Sequence, residues 1–147
     1  PYRSMNWFAK KDLVKMIGEK EKIVRFCAEG KALWDEAAKV CISPIEKIVY
    51  TDDNIEGIKT NIEALSEMTM MNNDGRHYIA MTRDELKATK ALVDTNYGDN
   101  CVEVWRYNQK ILAKDGVSDP LSLYLSLRDN EDDSIQIELE HLIEKLW

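Results

Sequence analysis

A chain of 147 residues, 44% hydrophobic and 32% charged, has the material for one domain, or for one domain and part of another. Its net charge is −7, yet residues 1–31 hold eight basic against four acidic side chains, so that end carries +4 and the remainder −11. Only the opening segment can therefore neutralise a polyanion. No apolar run approaches the roughly 20 residues needed to span a bilayer, and no signal-peptide pattern opens the chain.

Tyr2 to Asp12 reads as a helix with Met5, Phe8 and Ala9 on one face. Leu13–Ile17 and Lys22–Phe26 are short runs rich in β-branched residues, and the charged turn Gly18–Glu21 between them makes a β-hairpin. A helix and then a hairpin with a basic tip form the second half of a winged helix-turn-helix, whose helix enters the major groove while the hairpin lies on the backbone. Such a pair cannot bury a core alone, and the chain opens on Pro1 rather than Met, so truncation of upstream helices is expected. A plain αββ start to an α+β domain is the other reading.

Gly30–Val40 follows as a helix with Leu33, Trp34, Ala37 and Ala38 in a stripe, and Ser43-Pro44 ends it because the residue before proline avoids helical angles. Next come a strand at Ile45–Tyr50, a helix at Ile58–Met71, a strand at Tyr78–Met81, a helix at Arg83–Val93 and a strand at Cys101–Tyr107. Asp119 as N-cap with Pro120 at the first position opens a helix that stops by Asp129-Asn130. The last helix runs from about Asp132 to Trp147, and its stripe of Ile135, Leu139, Leu142, Ile143 and Leu146 serves either a core or a dimer interface. The expected class is α+β: a partial winged helix over residues 1–29, recognition helix plus wing hairpin, then a small α/β domain over 30–147 that ends in two helices.

Catalytic chemistry finds little support. Asp52, Asp53 and Glu103 could suggest a metal-dependent nuclease, but Trp105 stands where a Glu-x-Lys strand needs its lysine. Cys101 and His77 lack a third, orienting group, and the glycines form no phosphate loop. Cys27, Cys41 and Cys101 have no zinc spacing and fit free thiols in a reducing cytoplasm. Trp34, Trp105 and Trp147 read as core or interface anchors, and His141 as a surface residue. No enzyme activity, catalytic residue, metal or cofactor is expected.

Several phrases resemble a bacterial family of MarR-like winged-helix proteins. Gly30–Ala37 and Ser43–Lys47 are similar to the join between its wing and its C-terminal domain. The likeness continues through Ala64–Met70, Tyr78–Ala80, Val102–Tyr107 and Asp119–Asp129, and covers Tyr2 to Trp147. The layout is also similar to abortive-infection type IV antitoxins, which pair a winged helix with an α/β domain and oppose a nucleotidyltransferase-like toxin. The resemblance implies a transcriptional regulator, with Tyr2–Lys11 as recognition helix and Lys15–Phe26 as wing. The expected DNA-binding set is then Tyr2, Arg3, Ser4, Asn6, Trp7, Lys10 and Lys11 from the helix, with Lys20 and Lys22 on phosphate from the wing. The C-terminal domain would serve partner binding, dimerisation or sensing. The alternative function is an antitoxin-like interaction module whose −11 body covers a basic toxin. Double-stranded DNA, bound by the full-length protein, is the first expected partner; a toxin and a second copy of the chain are the others.

Overall fold

The structure is a computed structural model that describes residues 9–11, 13–18 and 23–147, with Ile23 and Val24 described by backbone alone. Among these residues the protein is mixed α+β, with five α-helices and two sheets. The chain forms two compact units, Pro1–Ile42 with Trp147, and Ser43–Leu146. The sequence draws the join after residue 29, whereas the structure groups the helix that follows with the N-terminal unit. That helix gives way to extended backbone at Cys41 (ψ 142°), three residues before Pro44.

In the first unit β1 (Val14–Ile17) and β2 (Ile23–Phe26) pair antiparallel. The helix α1 (Gly30–Val40) keeps Leu33, Trp34, Ala37 and Ala38 half-buried, as its stripe predicts. Its outer side carries the Lys31–Asp35 and Lys39–Glu36 pairs at 3.1 and 3.0 Å. Exposed pairs of this kind contribute only about 0.3–0.5 kcal/mol each.

The second unit is built on a four-stranded sheet in the order β3-β6-β5-β4, formed by β3 (Ile45–Thr51), β4 (Ile58–Lys59), β5 (His77–Met81) and β6 (Asn100–Trp105). β5 and β6 run parallel and are joined through α3 (Arg83–Thr89); the other pairs are antiparallel. Register puts Val49, Ile79, Met81 and Val102 on one face, where Leu86 of α3 packs against them. Ala80, Cys101, Glu103 and Trp105 fall on the other face by the two-residue alternation. A separate apolar cluster joins Ala64 and Leu65 of α2 (Asn61–Met68), Leu123 and Leu127 of α4 (Pro120–Leu127), and Ile135, Leu139 and Leu142 of α5 (Asp133–Glu144). Ile135, Leu139, Leu142 and Ile143 of the α5 stripe are thus buried, while Leu146, past the helix end, is 41% exposed.

Several boundaries differ from expectation, among them the end of α2, at Met68 rather than Met71. Ile58 and Lys59 are not helical but pair with Ala80 and Ile79, and α2 begins only at Asn61. The helix expected to reach Val93 stops at Thr89, because Lys90 takes a left-handed φ of 56° that an α-helix cannot continue through. The last helix ends at Glu144, with Lys145 as its C-cap.

Both outer strands of this sheet have loop backbone on their open side. Tyr50 and Asp94 exchange N–H···O=C bonds of 2.8 Å, and the Thr51 hydroxyl donates to the Leu92 carbonyl. On the far side Lys59 N–H donates to the Gly116 carbonyl and Ser118 N–H to the Lys59 carbonyl, both at 2.9 Å.

Candidate nucleic-acid interface

Strand β1 alternates as a half-buried strand should. Val14 is buried and Met16 partly so, while Lys15 and Ile17 between and beyond them are exposed. Gly18, with a φ of 103°, begins the turn, and Cys27 N–H donates to the Leu13 carbonyl to extend the ladder past Phe26.

The antiparallel register sets Lys15 directly opposite Arg25. Both side chains are exposed, and neither has a carboxylate partner among the described residues. Two like charges directly opposed on one sheet face repel. A phosphate backbone along that face reverses the sign of the effect, since each cation then gains an anion. Ile17, on the same face as Lys15, is 45% exposed, and Phe26, in register with Val14 on the other face, is 58% exposed.

Of the nine residues that the sequence assigns to DNA, Lys10 and Lys11 are described: Lys10 is helical, Lys11 lies in the turn after it, and both are exposed. Tyr2, Arg3, Ser4, Asn6, Trp7, Lys20 and Lys22 lie outside the described residues. Lys15 and Arg25 were missed as a facing pair. The four-residue turn read at 18–21 would pair Ile17 with Lys22 and Lys15 with Val24, whereas the observed register pairs Ile17 with Ile23 and so sets Lys15 opposite Arg25.

The acids considered for nuclease chemistry have other work. The Glu103 side chain is fully buried; its Oε1 accepts from Thr60 Oγ1 at 3.2 Å and Trp105 Nε1 at 3.1 Å, and its Oε2 from Asn61 Nδ2 at 2.9 Å. Burial pushes the carboxyl above its ordinary range, against the opposing pull of those three hydrogen bonds. Asp52 accepts from Asp99 N–H and Asp53 from Leu92 N–H, each at 2.9 Å, so both tie loops to the end of β3. Among the described residues no group of three His, Cys, Asp or Glu side chains is placed to hold a metal ion.

Cys101 and His77 project from opposite faces of the sheet, since Cys101 is in register with Tyr78. Burial, with the nearby Glu103 charge, drives the Cys101 thiol up to about 12. His77 Nδ1 instead lies 3.1 Å from Glu63 Oε1, whose other oxygen accepts from Tyr78 N–H. A thiol that stays protonated and is walled off from the imidazole cannot act as a nucleophile with it. His141 is more than half exposed on α5, 3.9 Å from Glu138.

Among the described residues no helix is long and apolar enough to cross a membrane. In comparisons with protein-family models, with curated proteins and with solved structures, the chain matches none.

Proposed function

We propose that the protein is a DNA-binding transcriptional regulator of winged-helix type, with β1–β2 as its wing. The observation that carries this reading is the exposed pairing of Lys15 with Arg25 across the hairpin, which has no carboxylate partner among the described residues. In the proposed mode these two cations and those of the turn, Lys20 and Lys22, contact phosphate and fix the protein on the duplex without reading sequence. Arg3, Asn6 and their helical neighbours read base edges from the major groove, as Arg suits guanine and Asn adenine. The Ser43–Leu146 unit has twenty-one acids against eleven bases, which confines duplex contact to the N-terminal unit.

The test is fluorescence anisotropy with a labelled duplex over a range of salt concentrations. Log K is expected to fall linearly with log salt, and Lys15→Ala with Arg25→Ala to flatten the slope by about 1.8, near 0.9 for each phosphate no longer neutralised. An affinity indifferent to salt, or unchanged in the double variant, rejects the reading.

A second reading, an antitoxin-like partner of a basic toxin, draws on the same acid excess and on Ile111 and Leu112, which are 76% and 56% exposed side by side. Co-expression with the product of the adjacent reading frame should then yield a complex that survives gel filtration. Separate elution of the two proteins counts against it.

A further inference from the structure

Within the acidic Ser43–Leu146 unit, Lys47, Arg83, Lys87 and Lys90 line a single cavity of about 570 Å³ that has no acidic side chain in its wall. Two elements bring them together. Arg83 and Lys87 are one turn apart on α3, with Lys90 just past the helix end. Lys47 comes from β3 on the same sheet face as Val49, the face that α3 covers. Arg83 also pairs with Glu46, but Lys47, Lys87 and Lys90 have no carboxylate partner among the described residues. Leu86 and Val93 complete the wall with apolar surface.

The helix dipole accounts for part of this arrangement only. Cations in the last turn offset the negative end of α3, which suits Lys87 and Lys90. Arg83 stands at the first helical position, where the dipole disfavours a cation, and Lys47 belongs to another element. Arg83 is matched by Glu46, but the three lysines around one hollow repel each other, and an anion between them would relieve that repulsion. The size of the hollow falls within the range of small-molecule sites. An extended polyanion would also meet the surrounding acid excess, which a compact ligand avoids.

We infer that this cavity binds a small phosphate-bearing ligand, its phosphate held by Lys47, Lys87 and Lys90 and its uncharged part resting on Leu86 and Val93. Lysine ammoniums hold phosphate as point charges and tolerate varied approach, so the site selects phosphate before it selects the group attached. The inference is independent of the duplex reading, because no residue of the hairpin takes part.

The test is an NMR titration of the whole ¹⁵N-labelled chain with adenosine 5′-monophosphate, inorganic phosphate and adenosine. Saturable shifts are expected at the amides of Lys87, Lys90, Ala91 and Val93 with the monophosphate, smaller ones with phosphate, and none with adenosine. Lys87→Gln with Lys90→Asn should weaken binding at least about tenfold while the spectrum stays dispersed, since charged hydrogen bonds are removed; asparagine tolerates the left-handed angle at 90. Lys114→Gln, outside the cavity, should change nothing. Absence of saturable shifts at millimolar monophosphate or phosphate, equal weakening by Lys114→Gln, or tighter occupation of the same amides by duplex DNA overturns the inference.

Discussion

Glu103→Ala is expected to destabilise the fold by about 2–4 kcal/mol, as the penalties for unmet buried donors and a residual cavity dictate. Three donors converge on this carboxyl, from Thr60, Asn61 and Trp105. The Thr60 and Asn61 groups can rotate toward other acceptors, but the indole N–H of Trp105, on the same strand and 2% exposed, cannot. Relief from the cost of burying the carboxyl works in the other direction, but the orphaned indole donor and the void left behind outweigh it. Urea unfolding should show a lower midpoint with an unchanged m-value.

The same residue gives stability a pH dependence. Folded chains hold the Glu103 proton to higher pH than unfolded ones, where the group titrates near 4.5. Its contribution is therefore present in full below that value and is lost as pH rises through the folded-state value. Glu103→Gln cannot ionise and lacks this slope. Unfolding both proteins from about pH 4 to pH 8 should show the wild-type advantage shrinking as pH rises. A constant difference across that range would mean that burial leaves the carboxyl at its ordinary value.

Lys15→Glu is expected to separate stability from binding. The new carboxylate would face Arg25 across the hairpin, replacing a repulsive pair by an attractive one worth roughly 0.2–1 kcal/mol. Duplex affinity should move the opposite way, by about ten- to a hundredfold at moderate salt, since one cation leaves the phosphate backbone and an anion takes its place. Thermal melting and anisotropy on the same preparation read the two effects. Parallel changes in both would show that the pair serves the hairpin alone.

Where local chemistry decides an element, the sequence was a good guide. Asp119 caps α4 by accepting from Ser122 N–H at 2.9 Å, with Pro120 at the first position, and Asp132 caps α5 at 2.8 Å. The buried stripe of α5 follows its apolar spacing through Ile143. Long-range pairing was less legible. Ile58 fits the periodicity of the helix after it, and only its partner Ala80 on β5 makes it a strand. Glu103 was weighed as a possible nuclease acid and its burial was not legible, because the donors that enclose it include Thr60 and Asn61, more than forty positions away. The cationic cavity was hidden for the same reason: Lys47 meets Lys87 and Lys90 only when the crossover helix is laid over the sheet. Of the duplex-binding set, the charge asymmetry of the opening segment was visible, while the Lys15–Arg25 juxtaposition needed the hairpin register.

The loops docked along Tyr50 and Lys59 have a consequence for how this molecule meets others. An unguarded border strand offers its backbone as a template for a neighbour's chain, the route to intermolecular ribbons and fibrils. Here some of those templating amides and carbonyls are already spoken for on either flank. Recruitment at those positions must therefore proceed through side chains, and a guest peptide would have to evict part of the host before it could zip on.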